Sequence, residues 1–207
     1  MSIIRYDEQK LIRTLTALPP KLRAAFALLC AERALAGYVG FCERAGTGNG
    51  EALRSILDRV WQDLGGLTMV DEELQASFER AMSLIPSEDQ GLGAHEQAYA
   101  EDAAAAVAYA VRSRKRGDPQ DAAWAARRTY EALDSFVINH HGISPDSLGG
   151  DERILSHPII QAELRRQKRD LNELLTMQIP ESSAALADLR DRAKEDAKRF
   201  FRPPSSN

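Results

Sequence analysis

Residues 24–41 read AAFALLCAERALAGYVGF, eighteen residues whose only charges are the adjacent pair Glu32 and Arg33. A stretch this apolar has to be covered on most sides, which marks a central helix of the fold. Carrying two ionised groups into or beside a core is costly unless each is paired. Neighbours at i and i+1 on a helix diverge, so Glu32 and Arg33 cannot satisfy one another and each needs a partner on another element.

On either side, the periodicity predicts helix after helix, with no run of alternating β-branched residues between turn signals. A short helix over about 7–17 places Leu11, Leu15 and Leu18 on one face, and Pro19-Pro20 ends it while starting the central helix of 20–45. Glycines at 46, 48 and 50, with Asn49 as a cap, separate that helix from an amphipathic one carrying Leu53, Ile56, Leu57, Val60, Trp61 and Leu64. Further helices are predicted over about 71–85, from past residue 93 to 116, over 119–140, from 156 to Pro180, and over 181–201. In the seventh, Ile160, Leu164, Gln167, Leu171 and Leu174 alternate in steps of four and three, a seam for a neighbouring helix. The expectation is an all-α fold: one compact bundle of about seven to eight helices over residues 1–201, with 202–207 a disordered tail. Residues 141–156 form the longest predicted loop, a length at which loops are usually functional or mobile.

The composition agrees. At 207 residues the chain is long enough to bury a full core, and an Ala-rich sequence with 6% aromatic residues suits closely packed helices. The net charge of -4 opposes a phosphate backbone, so no nucleic-acid partner is expected. The N-terminus lacks an apolar secretory core and uncharged runs reach nine residues, so neither export nor a membrane span is expected, and the chain is placed in the cytoplasm. Cys30 and Cys42 are twelve residues apart on one helix, about 18 Å by helical rise, which predicts free thiols.

Asp102 stands in the nearly uncharged stretch AYAEDAAAAVAYAV (98–111) and is the predicted counter-ion of Arg33. Glu32, Arg33 and Asp102, with Tyr38, Trp61 and Tyr99 nearby, therefore form either a buried polar anchor that fixes helix register or the lining of a ligand pocket. No cofactor, metal or catalytic group is predicted. The Glu-x-x-His pattern of helical di-iron sites is absent, His140-His141 suits a helix C-terminus, and His157 before Pro158 suits a helix start. GTGNG (46–50) lacks the strand and the Lys-Ser/Thr of a phosphate loop. Both cysteines lie in apolar surroundings, which argues against a nucleophile. The basic run 112–116, without interleaved aromatics, reads as a solvated helix end.

Phe26, Glu32-Arg33, Tyr38 and Phe41-Cys42, followed by Gly46, Gly50, Ile56-Leu57-Asp58 and Trp61, resemble the bacterial YjaG-like family, a domain of unknown function. Ile85-Pro86-Ser87 with Asp89, Tyr99, Asp102-Ala103, His157-Pro158 and Glu163 extend the likeness over most of the chain; that family's Pro-Asn pair before the tyrosine is Ala36-Gly37 here. The resemblance implies a compact helical domain and supplies no reaction. The expected function is that of a non-enzymatic helical protein acting through protein-protein contacts, of immunity or accessory type, with acidic helix starts at 71–73 and residues 87–89 docking on a basic partner. The alternative is a small-ligand binder or enzyme using the Glu32, Arg33 and Asp102 pocket. Homodimerisation through the apolar stripes of the last two helices is a further expectation.

Overall fold

The computed structural model describes residues 2–86, 94–177 and 182–199. Among these it has nine helices and no strand: α1 (Glu8–Thr16), α2 (Pro20–Ala45), α3 (Gly50–Leu64), α4 (Asp71–Ser83), α5 (Ala94–Arg116), α6 (Pro119–His141), α7 (Gly150–Leu155), α8 (Pro158–Thr176) and α9 (Ser182–Ala197). The ninth is α7, a short helix inside the segment expected to be loop. The expected tail at 202–207 lies outside the described residues, as do residues 87–89 and Phe200.

Local chemistry sets the helix ends. Asp7 caps α1 by accepting from Lys10 N at 2.9 Å, and Asn49 caps α3 by accepting from Ala52 N at 2.9 Å. Gly46 closes α2 in the left-handed region at φ 63°, where a side chain would be strained. His140 and His141 occupy the last turn of α6, and His157 caps α8, its Nδ1 accepting from Ile159 N at 3.4 Å.

The inner layer is α2, α5 and α6, which pack on one another. Alanines 100, 103, 104, 106, 108, 110, 122, 123, 125 and 126 are fully buried there, and such small side chains let helix axes approach closely. Around this layer α3 and α9 pack on α2, α4 on α5, α1 on α6, and α8 on both α2 and α6. A smaller apolar cluster of Leu133, Val137, Ile143, Ile154, Ile160 and Leu164 joins α6, α7 and α8 at one end.

α2 runs unbroken through Gly37 and is buried from Ala24 to Leu35 without interruption. It is long and apolar enough to cross a membrane, and 78% of its most apolar window is buried against neighbouring helices. Most of the apolar stripes of α8 and α9 is covered within the chain: Ile160, Leu164, Leu174, Leu186, Leu189 and Ala193 are buried, and Leu171 is half-buried.

Candidate functional site

Arg33 is fully buried, and its guanidinium is held chiefly by α8. Nε and Nη2 donate to the two oxygens of Glu163 at 2.9 and 3.0 Å, and Nη1 donates to Asp170 Oδ2 at 2.7 Å. Burial alone would favour the neutral guanidine, but the Glu163 and Asp170 carboxylates more than offset it, and Arg33 remains charged. Gln167, one turn along α8, donates to Glu163 at 2.9 Å and to Ala126 O of α6 at 3.1 Å. Asp170 also accepts from Arg169 and Arg192, the latter reaching in from α9. The expected pair between Arg33 and Asp102 does not form. α5 does pack on α2, but through alanines, and Asp102 turns to α6, where it accepts from Arg128 at 2.8 Å.

Glu32 points away from Arg33, as the spacing requires. It is fully buried, accepts from Arg190 of α9 at 2.8 Å, and also binds Arg54 of α3. Arg190 continues to Asp58, and its guanidinium lies 5.6 Å from the centre of the Trp61 ring. The remaining residues grouped with the pair lie apart. The Tyr38 hydroxyl donates to Leu84 O at 2.8 Å, while Tyr99 meets Arg44 and packs edge-on to Phe136. Glu32, Arg33, Asp102, Tyr38, Trp61 and Tyr99 thus serve several helix contacts and do not converge on one cavity.

The basic run at the end of α5 is only partly the solvated terminus expected from the sequence: Arg116 is exposed, but Arg112 and Arg114 are engaged. Arg112 lies 4.8 to 5.5 Å from the ring centres of Tyr109, Trp124 and Phe78 and binds Asp121, while Arg114 reaches buried Asp63 at 2.5 Å. These aromatics come from three helices, so local sequence could not reveal the cage. Cys30 and Cys42 are both free, and burial pushes both thiols up, which leaves them protonated at neutral pH. Among the described residues no group of three or more metal-ligating side chains stands together.

A surface feature that sequence reasoning missed is a groove of about 530 Å³ between the N-terminal segment, α6 and α7. Gln161 of α8 sets its walls. Its amide exchanges hydrogen bonds with Ile4, each 2.9 Å, and donates to Leu155 O at 2.8 Å. Arg5 pairs with Glu152 across the same joint. On the inner side the rings of Tyr6 and Tyr130 stack, with centres 5.6 Å apart and planes 11° from parallel. The Tyr6 hydroxyl donates to Ala123 O at 2.9 Å. Burial pushes both phenols up, so both stay neutral. Four carboxylates line the groove, from Glu8, Glu131, Asp134 and Asp151, against the guanidinium groups of Arg5 and Arg127. Glu8 and Glu131 share Arg127, whereas Asp134 and Asp151 make no ion pair among the described residues. Burial pushes the Asp134 carboxyl up, and the neighbouring charges of Glu131 and Asp151 add to the rise. Pro145 forms part of the rim, and Leu148 on the same loop is fully exposed.

Comparison with known proteins bears on the fold. A family model described as "Protein of unknown function (DUF416)" matches residues 10–198. A solved structure, a DUF416 family protein from Shewanella baltica OS155, superposes with a TM-score of 0.74 at 19% sequence identity, over 89% of this chain and 93% of that one. No curated protein matches the chain. The resemblance to a helical family without an assigned reaction holds; neither description carries the narrower YjaG-like label.

Proposed function

The chain belongs to the DUF416 family of proteins of unknown function, and from that premise we propose that it is a non-enzymatic cytoplasmic protein that works by contact with a protein partner. The observation that carries this reading is the groove beside α6 with its rim. The hollow is lined by aromatic rings and carboxylates, and the loop that supplies Pro145 to its rim also carries the fully exposed Leu148. Aromatic residues are enriched at the centres of protein-protein interfaces, and this groove presents Tyr6 and Tyr130 together. The buried ions support the same reading. Glu32, Arg33, Glu163 and Asp170 are satisfied by one another and by flanking arginines, an arrangement suited to holding helices in register.

The test is a photo-crosslinking residue placed at Leu148 in the native host, with a second placed at Arg13 on α1, outside the groove, as the control. One defined protein adduct at Leu148 and none at Arg13 is the expected result. No adduct at Leu148, together with thermal stabilisation by a metabolite or metal, would overturn the reading in favour of a ligand-binding protein.

A further inference from the structure

We propose that the groove formed by Tyr6, Tyr130 and Asp134 seats an arginine side chain presented by a basic peptide segment of the partner. The inference rests on the partner-binding reading above and names the chemistry of the bound group.

Shape and charge lead to the same ligand. The stacked rings of Tyr6 and Tyr130 form an aromatic wall, and a planar guanidinium packs on aromatic faces better than a compact ammonium does. The Tyr6 hydroxyl is already engaged with Ala123 O, which leaves its ring as the contact surface. Carboxylates exceed guanidinium groups around the groove by four to two. Arg127 is held by Glu8 and Glu131, so the two carboxylates open to an incoming cation are Asp134 and Asp151. One projects from α6 and the other from the first turn of α7, both line the groove and Asp151 is near enough for its charge to act on Asp134, so a fork of N–H donors could meet both. Burial first, and then the charges of Glu131 and Asp151, raise the Asp134 carboxyl, and a bound cation offsets the part due to those charges. An opening of about 530 Å³ exceeds one arginine side chain, leaving room for adjoining backbone beside Pro145 and Leu155.

The experiment uses the full chain and a fluorescein-labelled hexa-arginine peptide, read by anisotropy at low ionic strength, with the citrulline version as the uncharged isostere. The arginine peptide should bind and the citrulline peptide should not. Asp134→Asn with Asp151→Asn should weaken binding at least tenfold, while the charge-matched Asp188→Asn with Asp191→Asn on the exposed face of α9 should leave it within twofold. Circular dichroism establishes that both variants are folded. Equal losses in the two variants would overturn the inference by showing only a general attraction to an acidic protein, and so would competition by spermidine at the same concentration as the peptide. An adduct at Leu148 without arginine-peptide binding would overturn this inference alone and leave the partner reading standing.

Discussion

Arg33 of α2 holds both oxygens of Glu163 of α8, at 2.9 and 3.0 Å, with neither side chain reaching solvent. Together with Asp170 this makes a compact charge cluster at the contact of two helices, its Arg33 and Glu163 standing 130 positions apart in sequence. Breaking such a cluster differs from replacing it, because a lone buried charge loses its hydration with nothing in return.

Arg33→Met should therefore cost about 3 to 5 kcal/mol, since it leaves the buried Glu163 without a cation, while Asp170 keeps Arg169 and Arg192. The combined Arg33→Met, Glu163→Leu and Asp170→Leu variant should recover most of that loss. Urea denaturation of both variants measures the difference. A single substitution costing less than about 1 kcal/mol would show that the cluster does not fasten α8 to α2.

Asp102 predicts a stability difference that depends on pH. Burial outweighs the Arg128 guanidinium and pushes this carboxyl up to about 6. The folded chain therefore holds the proton more tightly than the unfolded one. The resulting stability is complete below the unfolded value of about 4 and is lost as pH rises through 6. Two pH units correspond to about 2 to 3 kcal/mol. Urea midpoints of wild type relative to Asp102→Asn, taken from pH 4 to pH 7, should fall over this window, and a flat difference would contradict the raised carboxyl.

Gly150 at the start of α7 lies against the loop before it. A Cβ there would stand 2.2 Å from Ser144 O and 2.6 Å from Pro145 O, both backbone atoms that cannot rotate away. Gly150→Ala should cost about 1 to 3 kcal/mol and displace the Pro145 rim. Thermal melts measure the first effect, and anisotropy with the arginine peptide measures the second as weakened binding.

The thiols should differ in access. Cys30 is fully buried with its sulfur 3.6 Å from Arg33 Nη2, while Cys42 is half-buried near Tyr38 and Gly48. Titration with a thiol reagent at pH 7 should modify Cys42 slowly and Cys30 not at all in the folded protein, and both at once in denaturant. Rapid native modification of Cys30 would mean that the α2 and α8 contact opens readily.

The helices were legible because their signals are local. Pro20 and Gly46 bracket α2 at the predicted ends, and the apolar run between them had to be central because no surface helix could leave so much apolar area in water. The six-residue α7 escaped notice because glycine and proline dominate its surroundings and it spans less than two turns. For α8, Glu163, Gln167 and Asp170 repeat at steps of four and three on the same face as Ile160 and Leu164. Polar groups on an apolar seam were the available sign that this helix supplies the counter-charges to Arg33.

What the sequence determined alone was the helical class, the central place of α2, and the rule that Glu32 and Arg33 must find separate partners, since these follow from apolar periodicity and the 100° turn between adjacent helical residues. Only the tertiary structure decided which partners. Arg33 could reach a carboxylate on α5 or on α8 with equal chemical sense, and the close alanine packing of α2 on α5 directed Asp102 to Arg128 and left Glu163 and Asp170 for Arg33. The groove belongs to the same category. Tyr6 and Tyr130 are 124 positions apart, and no local pattern records that a glutamine on α8 draws the N-terminal segment across α6 until their rings stack.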